Sequence, residues 1–251
     1  ENKRSGSNNE AIMDLIETYS HQRWGFIKPH AITEYGGIEV SEFSLIRNMQ
    51  SIRSQNAMIF GLLDRENRLE ISIPFTTDNA TWHITKANNY LPYKAVLWRP
   101  ENMGVPKKEI TGWLYTNRIQ FYELWKAVKG KRVFVSTSNP DIQVQAFLDE
   151  KKLYVALNNL DDAAQQVALD ISSIKSNVSD LFVKSLTVYS DDFPRYYEQT
   201  IGTIPDIFSI DPAETIVLEF NLKNSIKFNN KIKSSRYYTN NYLLPIEAQK
   251  E

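Results

Sequence analysis

The spacing of apolar residues changes its period at about Gly130. Before this glycine, helical spacing alternates with short apolar runs, which is the pattern of an α/β architecture. After it, short segments alternate apolar and polar residues and are separated by turn residues, as in an antiparallel β-sandwich. A chain with this pattern is expected to contain two units of different class, α/β and then all-β.

The first unit is predicted to cover residues 1–130 and to consist of βα elements. A continuous apolar run at Ala57–Leu63 favours a strand buried on both faces of a parallel sheet. Residues 66–114 keep no period and are expected to form a long insertion. The other predicted elements are helices over 7–20, 41–55 and 117–129 and an extended segment over 26–33.

The second unit is predicted to be a β-sandwich accessory domain over residues 131–222. Residues 223–251 are polar and rich in Asn and Lys, and they are expected to lead toward a further module. The candidate strands of the sandwich are 131–136, 142–148, 152–158, 165–171, 182–189 and 214–220.

Length limits how much of a barrel the first unit can contain. A complete (β/α)8 TIM barrel takes roughly 250 residues and a sandwich about 100, whereas the whole chain has 251. The first unit is therefore expected to be the last βα units of such a barrel. On this reasoning the chain is the C-terminal part of a larger protein or one half of a split structure.

Composition excludes several classes of partner. The net charge is −1, from 29 basic and 30 acidic residues, so electrostatics gives no case for nucleic acid or an anionic membrane surface. No apolar run approaches the roughly 18 residues of a membrane span. The three histidines have no metal-ligand spacing and the chain has no cysteine. Neither a metal nor another cofactor is expected.

One carboxylate, Glu34, ends the predicted extended segment and is followed by two glycines. Catalytic groups of (β/α) folds lie at such strand ends, which open onto the βα loops. Strand alternation predicts that His30, Ile32 and Glu34 share one face. Gly36 and Gly37 let the backbone turn close to a ligand. The alternative is a strand-end glutamate held in a salt bridge.

Several segments resemble glycoside hydrolase family 86, the β-agarases and β-porphyranases that act on red-algal galactans. The most specific of them is Thr33-Glu34-Tyr35-Gly36, and the similarity continues along most of the chain into the predicted sandwich. The other segments that carry the resemblance are residues 4–8, 10–17, 28–29 and 155–160.

The resemblance implies an endo-acting enzyme that cleaves β-1,4-galactosidic bonds with retention of anomeric configuration. In that mechanism one carboxylate forms a glycosyl-enzyme ester while a second carboxyl acts as acid and base. By motif, Glu34 matches the nucleophile, which ends barrel strand 7. The acid/base of the family follows strand 4, roughly 100 residues earlier in a barrel of this size. Only 33 residues precede Glu34, so the chain is expected to lack the acid/base and to be inactive alone.

Other residues are candidates for contact with the substrate. His30 would orient Glu34 or bind a sugar hydroxyl, with packing in the barrel as the alternative. Tyr35 would hydrogen-bond the nucleophile or line a subsite, again with packing as the alternative.

More candidates follow the apolar run that is predicted as the last barrel strand. Asp64 and Arg65 come directly after it, where a catalytic edge would lie, although an ion pair at a strand end is the alternative. Trp82, His83 and Trp98 lie in the long insertion and would stack on galactose rings. A tryptophan that anchors a long loop is the commoner case.

A rival hypothesis is a non-catalytic fragment that binds polysaccharide or braces a barrel. Under the enzyme hypothesis, the partners are a galactan polysaccharide or oligosaccharide and the missing N-terminal half of the barrel. The expected location is secreted, periplasmic or on the outer surface of a bacterium. The sequence leaves agarose and porphyran undecided, because residues that would accommodate a sulfate are expected to lie partly outside it.

Overall fold

The computed structural model describes residues 5–37, 42–227 and 235–238. The helices are α1 (Ser5–Trp24), α2 (Ser51–Leu63) and α3 (Ile119–Trp125). The strands are β1 (His30–Tyr35), β2 (Leu69–Pro74), β3 (Trp98–Pro100), β4 (Trp113–Tyr115), β5 (Lys131–Val133), β6 (Ile142–Asp149), β7 (Lys152–Asn159), β8 (Gln165–Ala168), β9 (Val178–Thr187), β10 (Arg195–Ile201), β11 (Ile207–Ile210) and β12 (Glu214–Leu222).

The first part of the chain contains one βαβ unit, in which α2 connects the parallel strands β1 and β2. Because the strands are parallel, the carboxyl ends of both lie at the same edge of the two-stranded sheet. The α/β pattern of this region is therefore confirmed. Two strands cannot close a barrel, so the described residues alone do not form one.

The prediction of a strand at Ala57–Leu63 is wrong, because these residues form the second half of α2. The helix is covered from two directions. On one side, a Cβ at Gly61 would lie 3.2 Å from Glu10 Oε1 of α1. On the other, Gln143 and Gln145 of β6 donate to carbonyls of the helix. A helix that is buried on several sides reads as a continuous apolar run, as a buried strand does.

The helix predicted over 41–55 begins later than expected. Residue 41 lies outside the described residues, a 3₁₀ turn covers Arg47–Met49, and α2 starts at Ser51.

The long insertion predicted for residues 66–114 is shorter than expected, because its first part is strand β2. Leu69, Ile71 and Ile73 alternate with polar residues there, so the period was present over six residues. The rest of the insertion contains the antiparallel hairpin of β3 and β4. Two further strands, β10 and β11, lie outside the predicted set.

The second part of the chain contains a six-stranded antiparallel sheet in the order β10-β9-β12-β7-β6-β5. The two-stranded sheet of β8 and β11 packs against one of its faces, which confirms the predicted sandwich. The sandwich core is made of apolar side chains, among them Ile142, Val155, Leu157, Leu181, Val183, Phe208, Ile210, Ile216, Leu218 and Phe220.

The other face of the six-stranded sheet forms a second core with the helices. The central strands of the sheet are therefore buried on both faces, and β7 is buried continuously from Leu153 to Asn159. The second core joins side chains of the sheet, such as Phe147, Tyr154, Leu186 and Val217, to Met13, Tyr35, Met49, Ile52, Phe60, Phe121 and Leu124.

The described part of the C-terminal segment lies against α1. The ring of Tyr238 stacks on His21 with centroids 5.0 Å apart, and Arg236 Nη1 donates to Asp14 Oδ1 at 2.7 Å. The predicted connection toward a further module falls largely on residues 228–234 and 239–251, which lie outside the described residues. Among the helices that the structure describes, none is long and apolar enough to cross a membrane.

Replacement of Phe220 by Ala is expected to lower the free energy of unfolding by about 3–5 kcal/mol, because it leaves a cavity in the sandwich core. Phe220 is completely buried. Urea denaturation measures the loss. Phe134→Ala is the matched control, because Phe134 is 73% exposed and the same truncation there should change stability by less than about 0.5 kcal/mol. Equal losses in the two variants would contradict the position of this core.

Candidate active site

Glu34 lies at the carboxyl end of β1 with an exposed side chain. The adjacent end of β2 is close, because the Phe75 N–H donates to the Tyr35 carbonyl at 2.9 Å. Among the described residues, the Glu34 side chain forms no hydrogen bond or ion pair. The alternative of a salt-bridged strand-end glutamate is therefore not what the described residues show.

Tyr35, in contrast, is 4% exposed and belongs to the second core. Burial and the neighbouring Tyr122 raise the pKa of its phenol above the usual value, so it stays neutral. The pairing register of β1 shifts between His30 and Ala31 and again between Ile32 and Tyr35. The side chains of β1 therefore do not alternate regularly between the two faces of the sheet. Tyr35 packs in the core, which was the alternative to a contact with the nucleophile or the substrate.

The turn after Glu34 is held by the first half of α2. Gly36 has a φ of +112°, and a Cβ there would lie 2.6 Å from Gln55 Cγ, so only glycine fits. The next amide, Gly37 N–H, donates to Ser54 Oγ at 2.5 Å. Polar residues of a buried helix thus fix the backbone that follows the carboxylate.

A group of aromatic rings begins at the end of β2. The Phe75 and Tyr93 rings are 6.0 Å apart, and Tyr93 in turn lies 5.2 Å from Trp82 and 5.3 Å from His83. Trp82 is 63% exposed, so much of its indole faces solvent. Two residues predicted for substrate binding, Trp82 and His83, are therefore in one cluster at the same edge as Glu34.

A second aromatic pair lies on the hairpin of β3 and β4. Trp98 faces Tyr115 across the strands with ring centroids 3.7 Å apart. The hairpin is joined to the same edge, because the Leu97 and Trp98 amides donate to the Asp78 carbonyl. The sequence-based list omitted Tyr93 and Tyr115; the alternation Trp113-Leu114-Tyr115 was the available signal for the latter.

His30 lies at the opposite end of β1 from Glu34. It is 7% exposed, and its Nε2 lies 3.0 Å from Oε1 of the completely buried Glu17. The same carboxylate accepts from Arg65 Nε and Arg68 Nε, each at 3.2 Å. His30 thus belongs to a buried ionic cluster at the amino ends of the strands, the packed position that the sequence left as an alternative.

The prediction that Asp64 and Arg65 follow a strand is wrong, because they follow α2 and precede β2. Arg65 is buried with Glu17 and also donates to Asp14 Oδ1 at 2.5 Å. Asp64 accepts from Gln145 Nε2 at 2.8 Å and pairs with Arg132 of the sandwich sheet. Both are structural contacts at the end of the fold away from Glu34.

Glu17 is the centre of this ionic cluster. Burial alone raises the pKa of its carboxyl, but hydrogen bonds from His30 and Tyr238 and the charges of Arg68 and Arg236 outweigh burial and lower it below the usual value. The carboxylate is therefore fully ionised at neutral pH. No group of three or more His, Cys, Asp or Glu side chains in the described parts of the chain could hold a metal ion.

Comparison with solved structures and family models first concerns the fold. The arrangement is shared with an arabinose-bound α-L-arabinofuranosidase, with a TM-score of 0.55 at 12% identity over 83% of this chain and 35% of the other. At that identity the likeness concerns the fold alone. A family model described as porphyranase β-sandwich domain 1 matches residues 141–244.

Closer relatives give the family. The chain is 45% identical over 98% of its length to β-porphyranase A of Phocaeicola plebeius and 34% identical over 99% to a funoran endo-β-hydrolase of Wenyingzhuangia aestuarii, covering 34% of each. A solved β-porphyranase of glycoside hydrolase family 86 from the human gut bacterium Bacteroides plebeius superposes with a TM-score of 0.83 at 44% identity, over 88% of this chain and 40% of the other. The chain belongs to glycoside hydrolase family 86, and it spans about a third of the length of these curated relatives.

Replacement of Glu17 by Gln is expected to lower the free energy of unfolding by about 3–5 kcal/mol at neutral pH, because the buried cations lose their counter-charge. The pKa of Glu17 is lower in the folded chain, so its stabilising effect is complete above the unfolded value of about 4.5 and declines as the pH falls below it. Denaturation at pH 7 and at pH 3 to 4 measures the difference.

The stability gap between the wild type and Glu17→Gln should therefore narrow in acid. A gap that is constant from pH 7 to pH 3 would contradict the assignment of Glu17 as the ionised centre of the cluster. Glu70→Gln provides the control, because Glu70 is exposed on β2.

Proposed function

We propose that this chain carries the nucleophile of a retaining endo-hydrolase that cleaves β-1,4-galactosidic bonds of red-algal galactans, agarose or porphyran. The main observation is the exposed carboxylate of Glu34 at a strand end, with no partner among the described residues. Relatives named as a β-porphyranase, a funoran endo-β-hydrolase and a β-agarase support the substrate class.

In the proposed reaction, a carboxylate oxygen of Glu34 attacks the anomeric carbon. The bond between that carbon and the leaving oxygen breaks, while a second carboxyl gives its proton to the oxygen. Water then attacks the glycosyl ester and gives a proton to the second carboxylate, and Glu34 leaves with its electron pair. Two inversions return the original anomeric configuration.

The second carboxyl is proposed to come from a barrel strand outside this chain. Such pairs lie about 5–5.5 Å apart in retaining enzymes. Loss of a general acid typically lowers the rate by about 10²–10⁴-fold, so this chain alone is expected to have little or no activity. Glu34 needs the rest of the barrel as its chemical partner.

The outer surface of α1 supports such a partner. Ile12, Leu15, Ile16 and Tyr19 are 56%, 63%, 47% and 48% exposed, which is unusual for four apolar residues on one helix. Within the described residues, β1 and β2 pair only with each other, so each has an unpaired edge. We propose that the N-terminal half of the barrel covers this helix and pairs with these edges.

The aromatic residues beside Glu34 are proposed to contact the sugar chain. Trp82, whose side chain is 63% exposed, is proposed to stack on the C–H surface of a galactose ring, and the Tyr93 ring contacts the indole with centroids 5.2 Å apart. His83 and Trp98 are proposed to contribute to the same surface. A solved relative that is 30% identical, with a TM-score of 0.79 over 90% of this chain and 36% of the other, is in complex with neoagarooctaose.

A bracing role for the sandwich is the second proposal, and the shared core favours it. The six-stranded sheet supplies one wall of the core that holds Tyr35 and α2. The sandwich therefore supports the strand ends whether or not it also binds polysaccharide. Because polymeric galactan is found outside cells, we further propose a secreted, periplasmic or outer-surface location.

In a full-length protein that includes the preceding barrel strands, Glu34→Gln is expected to lower the turnover of agarose or porphyran by about 10³-fold or more, since an amide cannot form the ester intermediate. A reducing-sugar assay measures the turnover. Glu70→Gln on the parallel strand β2 is the matched control and should keep wild-type activity. Full activity of Glu34→Gln would refute the nucleophile assignment.

In the same full-length protein, Trp82→Ala is expected to raise KM about 2–10-fold with a smaller effect on kcat. The expected factor corresponds to an aromatic contact of about 0.5–1.5 kcal/mol. Trp82→Phe keeps a ring and should recover most of the affinity. Unchanged KM in Trp82→Ala would mean that the exposed indole does not touch the sugar.

A further inference from the structure

The carbonyl of Phe75, at the end of β2, accepts hydrogen bonds from two buried side chains. Gln55 Nε2 of α2 donates to it at 2.8 Å, and Arg118 Nη2 donates to it from the start of α3. Gln55 is 2% exposed and Arg118 is 3% exposed, so both donors reach this oxygen from the interior. The Phe75 amide donates to the Tyr35 carbonyl at the end of β1.

The guanidinium of Arg118 donates its hydrogen bonds to carbonyl and hydroxyl oxygens. Its Nη1 donates to the Asn48 carbonyl at 3.0 Å and to Ser51 Oγ. Burial disfavours the charged form and lowers the pKa of its guanidinium to about 10, so the group is still charged at neutral pH. A hydrogen bond from a charged donor to a carbonyl is stronger than one from a neutral donor. The two hydrogen bonds therefore fix the position of the Phe75 carbonyl.

Gln55 also touches the end of β1. Its Cγ fills the space where a Cβ of residue 36 would lie, at 2.6 Å. The Gln55 side chain therefore contacts both strand ends. Its carboxamide donates to the Phe75 carbonyl after β2, and its Cγ packs against Gly36 in the turn that follows Glu34. The neighbouring Ser54 holds Gly37 N–H.

We propose that Gln55 is a positioning residue for Glu34, which sets the spacing between the carboxyl ends of β1 and β2 and thereby aims the carboxylate at the reacting carbon. This inference rests on the proposed function, in which Glu34 is the nucleophile. Gln55 does not touch the substrate. It acts through the backbone of Gly36 and Phe75.

Geometry of this kind governs the rate of the chemical step. A displacement of about 1 Å between reacting groups can lower turnover by roughly 10²-fold. Loss of the Gln55 amide removes one of the two donors at the Phe75 carbonyl and allows both strand ends to relax. The expected effect is therefore on kcat, with the protein still folded.

The test uses the full-length protein with Gln55→Met, which keeps the length of the side chain and removes the donor. Asn56→Leu is the matched control, because Asn56 is the next residue of α2, is 1% exposed, and accepts from Trp125 Nε1 of α3 at 3.0 Å. We expect kcat to fall about 10-fold or more in Gln55→Met and less than about 2-fold in Asn56→Leu, measured below the Tm of both. Equal kcat values in the two variants would overturn the proposal.

A second measurement distinguishes failure of this inference from failure of the proposed function. Amide hydrogen exchange followed by mass spectrometry should become faster at residues 34–37 and 75–77 in Gln55→Met, and stay at the wild-type rate there in Asn56→Leu. Unchanged exchange in Gln55→Met would overturn the proposal even if the enzyme is active. If the wild type does not cleave galactan, the proposed function fails, and this exchange difference still decides whether Gln55 holds the strand ends.

Discussion

The six-stranded sheet is covered on both faces, and the rest of the fold depends on this arrangement. One face packs on β8 and β11 to make the sandwich core, and the other packs on the helices. Removal of the layer of β8 and β11 would expose apolar side chains such as Leu157 and Ile216, and removal of the helices would expose Tyr154 and Val217. The α/β part and the sandwich predicted from the sequence therefore share the six-stranded sheet. A loss of sandwich stability is expected to reach the strand end that carries Glu34.

Hydrogen bonds complement this apolar contact where the helix α2 meets its neighbours. Gln143 and Gln145 of the sheet donate to carbonyls near its C-terminal half, while Ser54 and Gln55 near its start hold the ends of β1 and β2. Buried polar groups are stable only when they are paired, so each of these contacts also fixes an orientation. The helix is thus a rigid link between the sandwich sheet and the candidate catalytic edge.

The sequence predicted the order of the two classes and the place of Glu34, but not the nature of Ala57–Leu63. Burial on several sides erases the helical period, and the run then resembles a strand. Strand β2 was overlooked because its alternation spans only six residues among turn residues. The role of Gln55 depends on a contact with a carbonyl 20 positions away, which no local pattern contains. Motif similarity singled out Glu34 as the nucleophile, and that role stays a prediction.

The two ends of β1 place two glutamates in different environments. At the amino end, Glu17 is buried and its oxygens accept from His30, Arg65, Arg68 and Tyr238. A carboxylate that is buried and engaged by several donors contributes to stability. At the carboxyl end, Glu34 is exposed and unpaired among the described residues. A nucleophile must keep its lone pairs available while its backbone is fixed. The role proposed for Glu34 is compatible with both requirements, because the polar contacts that hold the turn after Glu34 are made by the main chain of Gly37 and Phe75 and leave its carboxylate free.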